Sequence, residues 1–116
     1  MPSPKEHDVT IDLMIQAAEK LTGFTAGYTF EMFLGDEKTQ SAVIMQFIVI
    51  GELAKKLPKE VVSSIDLPWR LMAGFRDFAV HEYFKLELKQ VWDTVVNDVP
   101  VVREKLSAYL KTLGNA

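Results

Sequence analysis

Ala42-Val43-Ile44-Met45-Gln46-Phe47-Ile48-Val49-Ile50 is the stretch on which the fold turns. Rich in β-branched residues, it reads in isolation as a strand. Its surroundings decide otherwise. It lies inside Glu37 to Leu57, a run without turn signals, and Val43, Phe47, Ile50, Ala54 and Leu57 recur at helical spacing. The spacing predicts one long central helix, apolar nearly all round, with Asp36 as its N-cap and Pro58 ending it. Gly51 inside such a helix costs about 1 kcal/mol relative to alanine, which close approach of a second helix explains best.

The flanking segments follow the same period. Ser3-Pro4-Lys5-Glu6 has the form of a helix start, with serine as cap and proline first in the helix, so a helix is expected from Pro4. Val9, Leu13, Ala17 and Leu21, widened by Met14 and Ala18, mark its expected buried face, and Gly23 its end. Thr25 to Gly35 is turn-rich with a short helical piece at Phe30 to Leu34. Lys59 to Ser64 forms a further turn of helix, after which Asp66-Leu67-Pro68 opens a helix carrying Trp69, Met72 and Phe75 into the core. Leu88, Val91, Trp92, Val95, Val96 and Val99 make one apolar stripe, and Val102, Leu106, Tyr109, Leu110 and Leu113 make another. Pro100, between them, either kinks one helix or starts a new one. The fold class expected is all-α, an antiparallel bundle of four or five helices.

At 116 residues the chain fits a single domain, 1–116. With 48% hydrophobic and 25% charged residues it is globular in composition, and with no cysteine it has no thiol nucleophile and no disulfide. No run is long and apolar enough to span a bilayer, and no signal-peptide apolar region follows Met1, so a cytoplasmic location without membrane attachment is expected. A net charge of −3 argues against strong nonspecific adhesion to nucleic acid. Any positive potential must be local, from Arg70, Arg76, Lys85 and Lys89.

Chemistry concentrates in Gly74-Phe75-Arg76-Asp77-Phe78-Ala79-Val80-His81-Glu82-Tyr83. A guanidinium matches phosphate with two parallel hydrogen bonds, and an imidazole exchanges a proton near neutral pH. Together they point to phosphodiester chemistry. Arg76 and Tyr83, seven residues apart, share a face if the helix continues, whereas His81 falls about 140° from Arg76 on a regular helix. Either the helix ends or distorts before His81, or the site is assembled from two chains about a twofold axis. Glu52, in a largely apolar helix, is a carboxylate placed to pair with a basic residue such as Arg76 or else an exposed surface glutamate. His7 has no partner at metal-ligand spacing, and glycine-rich phosphate loops, HExxH strings and calcium loops are absent, so no metal or cofactor is expected. Trp69, Phe75, Phe78 and Trp92 read as core or dimer contacts rather than base-stacking platforms.

The Arg-x4-His-x-Tyr string with Asp77 after the arginine resembles the signature of the HEPN superfamily, most closely the HepT-like ribonuclease toxins. Phe33, Asp36, Gln40-Ser41-Ala42-Val43, Ile50-Gly51-Glu52-Leu53-Ala54-Lys55-Lys56-Leu57-Pro58, Leu67-Pro68-Trp69, Val91-Trp92 and Asn97-Asp98-Val99-Pro100 extend the likeness over most of the chain. The resemblance implies a homodimer in which both motifs face one cleft, and a minimal nucleotidyltransferase antitoxin as partner. It also implies AMP addition by that partner at Tyr83.

RNA carries its own nucleophile, the 2′-hydroxyl, so cleavage needs a base, an acid and a cation but no metal. His81 fits acid or base, Arg76 fits the charge stabiliser, and Asp77, Tyr83 and Glu52 fit supporting roles. The expected function is therefore a metal-independent endoribonuclease toxin. The alternative is a noncatalytic HEPN module that binds nucleotide, RNA or a partner protein while the transferase does the chemistry. A third reading is a helical dimerisation or scaffold domain.

Overall fold

The computed structural model describes residues 4–114, all seven helices of it joined by turns, with no strand among the described residues. α1 runs Pro4–Phe24, starting where expected and ending one residue past Gly23; the Ser3 cap lies outside the described residues. Its inward face holds Met14, Ala17, Ala18 and Leu21 as expected but not Val9 and Leu13. Val9 and Leu13 are 59% and 44% exposed, while Ile11, Met14, Ile15, Ala17, Ala18 and Leu21 are buried. A strict four-residue repeat drifts about 40° per step against a 3.6-residue turn, whereas Ile11, Met14, Ala18, Leu21 and Thr25 alternate threes and fours and stay on one line.

α2 (Phe30–Leu34) begins where the Thr29 side chain accepts a hydrogen bond from Met32 N–H. It delivers Phe33, fully buried, against the Trp92 ring at 5.4 Å. Gln40 then donates from Nε2 to the Phe33 and Leu34 carbonyls, satisfying acceptors that the end of a helix leaves open.

α3 (Glu37–Lys55) is the central helix, and the β-branched run is helical throughout. Asp36 caps it, accepting from Thr39 N–H at 3.0 Å and the Thr39 hydroxyl at 2.6 Å, with Tyr28 donating to the same carboxylate. These bonds, the Thr39 hydroxyl foremost, hold the Asp36 carboxyl down to about 2. The helix stops at Lys55, two residues before its expected end, but Leu57 is still buried. Val43, Ile44, Ile50, Gly51 and Ala54 are buried along one arc of α3, Phe47, Ile48 and Val49 are half-buried beside it, and Met45 is left outside.

α4 (Lys59–Ser64) leads to α5 (Trp69–His81). Trp69, Met72 and Phe75 pack against the core, and Trp69 Nε1–H donates to the Ile65 carbonyl at 3.0 Å. α5 runs antiparallel to α3: Tyr83 beyond its end meets Ser41, Phe75 meets Phe47 at 5.1 Å, and Arg76 meets Gly51. α6 (Leu88–Asp93), a π turn (Thr94–Asp98) and α7 (Val99–Gly114) follow without a break. Pro100 therefore lies within one continuous rod. It has no N–H to give, and the ladder ahead of it widens so that Val99 N–H bonds the Thr94 carbonyl, five residues back. The wider turn also compensates the four-residue drift, so Val91, Val95 and Val99 are all buried. α3 lies between α1 and α5, and α7 covers α1 with Leu106 fully buried. Among the described residues no helix is long and apolar enough to cross a membrane.

Candidate functional site

Arg76 is positioned by the absence of a side chain. A Cβ on Gly51 would collide with Arg76 Cβ and stand 3.0 Å from its Cγ and 3.2 Å from the Met72 carbonyl, so α3 and α5 touch backbone to side-chain root at this point. The expected close approach at Gly51 is thus made by the helix that carries the motif. One residue on, Glu52 forms an ion pair with the buried Arg76 Nε. Arg76 Nη1 donates to Asp77 Oδ1 at 3.0 Å, and Lys55 Nζ donates to that same oxygen at 2.8 Å. The ammonium of Lys55 and then the guanidinium of Arg76 hold the Asp77 carboxyl below the usual carboxylate range. The guanidinium is fixed at its root and shielded on one side, with its side chain 24% exposed. It offers a directed cation rather than a mobile one.

His81 is the last residue of α5 and is exposed. The helix is regular from Trp69 through His81, so it neither ends nor distorts before the imidazole, and within one chain His81 points about 140° away from Arg76. Tyr83 does not ride the same helix: Glu82 leaves the helical region (φ −132°, ψ 42°), and Tyr83–Lys85 forms a 3-10 turn. Its hydroxyl nevertheless reaches back to α3, 3.3 Å from Ser41 Oγ, with its ring edge-to-face on Phe84. Ser41 and Gly51 are ten residues apart on α3, a rise of about 15 Å. Tyr83 and Arg76 therefore face the same helix at different heights and do not touch.

The local cations differ in how free they are. Lys85 pairs with Glu82, while Lys89 pairs with Asp93 and lies 5.0 Å from the Phe30 ring centre. Arg70 is exposed without an ion pair among the described residues. Trp69, Phe75 and Trp92 pack into the fold, but Phe78 is 43% exposed and lies outside the core. It lines an apolar groove of about 740 Å³ between α5 and the α6–α7 rod, together with Leu71, Phe75, Leu86, Val101 and Val102. Among the described residues no cluster of histidine and carboxylates has the geometry to hold a metal ion.

The family model described as ribonuclease HepT-like matches residues 14–109, a span from the first helix to the last that includes the whole motif. The chain belongs to the ribonuclease HepT-like family. Among its HepT-like relatives is a Methanocaldococcus jannaschii protein assigned as an RNase, MJ0127, 36% identical over 86% of this chain and 84% of the relative. Another is "Probable ribonuclease HepT" of Thermococcus cleftensis, 35% identical over 92% of this chain and 98% of the relative. A third, from Caldanaerobacter subterraneus subsp. tengcongensis and assigned as an RNase, TTE0752, is 30% identical over 96% and 97%. No solved structure matches the chain.

Two residues that the fold brings to this candidate site carry no signal in the motif itself. Lys55 reaches Asp77 from 22 residues away, and its place one turn after Gly51 on α3 is the feature that could have marked it. Ser41 sits in the quoted Gln40-Ser41-Ala42-Val43 phrase, but nothing in that phrase tells which residue it meets.

Proposed function

We propose that the chain is a metal-independent endoribonuclease built as one HEPN domain over residues 1–116, with Arg76 and His81 as the residues that act on RNA. The observation that carries this reading is the contrast between them: a guanidinium clamped by Gly51, Glu52 and Asp77, and an exposed imidazole ending the same helix. Arg76 would neutralise the charge that grows on the phosphorane, and His81 would move the proton from the 2′-hydroxyl or to the leaving 5′-oxygen. Because the two diverge on one helix, a homodimer joins Arg76 of one protomer to His81 of the other in a common cleft, which also supplies two imidazoles to divide the acid and base roles. Asp77, Glu52 and Tyr83 support the site. RNA brings its own nucleophile, so the reaction needs no metal.

In this reading the protein is the toxin of a cytoplasmic toxin–antitoxin pair, its partner a minimal nucleotidyltransferase that adds AMP to Tyr83. Among the described residues the Tyr83 hydroxyl has one hydrogen-bond partner, Ser41, and the residue is 39% exposed, which leaves it within reach of a modifying enzyme. An added phosphate there would compete with RNA for the cations of the site.

One observation favours the noncatalytic alternative: Arg76 is already matched by two carboxylates, Glu52 and Asp77. Purified protein incubated with RNA in chelator separates the readings. Cleavage by the wild type that is lost in both Arg76→Ala and His81→Ala supports the nuclease; RNA binding without cleavage supports the module.

A further inference from the structure

Lys55 Nζ and Arg76 Nη1 converge on a single atom, Asp77 Oδ1, at 2.8 and 3.0 Å. We propose that Lys55 is a second phosphate-binding residue of the site, and that Asp77 Oδ1 occupies at rest the position a phosphate oxygen takes between the two cations. The proposal rests on reading Arg76 as the phosphate-facing group. An oxygen of a phosphodiester is anionic and accepts N–H bonds at the same 2.7–2.9 Å range as a carboxylate, so exchanging one for the other keeps both donors satisfied.

The surroundings allow that exchange. Asp77 and Lys55 have side chains 53% and 40% exposed, so the carboxylate can turn into water without being stranded in a dry interior. Arg76 cannot follow it, because Gly51 lies against its root and Glu52 holds Nε. With Asp77 in place, Lys55, Arg76, Glu52 and Asp77 sum to zero charge; with Asp77 turned away, the pocket presents one net positive charge to an anion. The carboxylate is thus a built-in competitor for the backbone of the nucleic acid. Ligands that offer a single weak anion gain little by displacing it, whereas a polyanion held at several points does.

The test measures binding of a 2′-deoxy-substituted oligonucleotide, which the protein cannot cleave, and of inorganic pyrophosphate, across a salt series. Lys55→Met is expected to weaken oligonucleotide binding about fivefold and to reduce the slope of log K against log salt by about 0.7, the loss of one single-strand phosphate contact. Lys55→Arg should keep most of both. Asp77→Asn should tighten binding, since the competing charge is gone and the site remains folded by its helix contacts. Unchanged affinity and slope in Lys55→Met, or weaker binding in Asp77→Asn with its thermal midpoint preserved, overturns the proposal, as does wild-type protein that binds neither probe. A wild type that shows these binding shifts yet leaves RNA uncut in chelator sinks the nuclease reading and leaves the two-cation site standing.

Discussion

Gly51 on α3 and Arg76 on α5 meet so closely that a single methyl group on the glycine has no room, and this contact sets the height at which the guanidinium stands over the central helix. Gly51→Ala gains about 1 kcal/mol of helix propensity but forces the two helices apart, and overpacking of this kind costs about 1–3 kcal/mol. The neighbouring atom is the rigid root of the arginine and not a flexible tip. A net loss of up to about 2 kcal/mol in urea unfolding is expected, with RNA cleavage falling further than stability does. Wild-type stability in the variant would show that α5 can shift freely over α3.

His81 is exposed and its imidazole has no hydrogen bond among the described residues, so removing it should leave the fold alone. His81→Ala is expected to change unfolding free energy by no more than about 0.5 kcal/mol. Its cleavage rate should drop by about 10² or more, as loss of a positioned proton-transfer group does. Full activity in chelator would remove the imidazole from the chemistry.

Arg76 and His81 lie on different sides of one helix, and mixing variants reads out whether they act across protomers. In a heterodimer of Arg76→Ala and His81→Ala, one of the two Arg76–His81 pairs facing the common cleft keeps both groups. Random reassociation puts about half of the chains in heterodimers, so activity should recover to at most about a quarter of wild type from two inactive parents, and to less where both imidazoles are needed. A cleft drawn from one chain predicts no recovery, and sedimentation of the mixture checks that pairs have formed.

Tyr83 is the expected acceptor of AMP, and its hydroxyl has Ser41 for company. If the proposed control operates, intact mass after coexpression with a minimal nucleotidyltransferase should show one or more AMP units, mapped to Tyr83 and missing in Tyr83→Phe. An unshifted mass beside an active transferase removes this form of control.

Asp36 links pH to stability. Its carboxyl is depressed to about 2 in the folded chain, from an ordinary value near 4. A depressed carboxylate contributes stability above the unfolded value, and that contribution is lost as pH falls towards the folded one. The thermal midpoint should therefore fall between about pH 4 and 2, and Asp36→Ala should fall less steeply over that window while starting lower at neutral pH. Parallel curves for the two proteins would show that the Thr39 and Tyr28 bonds do not act in solution.

The helices were legible because each carried a local mark: Asp36 before α3, Pro58 after it, and turn residues on either side of Phe30 to Leu34. On the inward face of α1, Met14, Ala17, Ala18 and Leu21 are buried as expected, but Val9 and Leu13 were misjudged because they satisfy a repeat of four that a helix does not sustain, and Ile11 and Ile15 were missed. In the motif, Arg76 could be placed on α5 from the pattern, whereas spacing left open whether the helix reaches His81. The break at Glu82 could not be placed, since nothing in Glu82-Tyr83 resembles a stop signal. Lys55 and Ser41 join the site through contacts with α5 and the turn beyond it, and such partners have no trace in a linear pattern until the helices are docked.

The π turn at Thr94–Asp98 takes up one residue of slack in the rod, so that beyond it chain length, more than residue identity, is the guarded property. Omitting one residue between Val99 and Leu106 would swing everything after it by about 100° about its own axis. Leu106 would then leave its berth against α1, and the closing helix would offer a charged flank to the bundle instead.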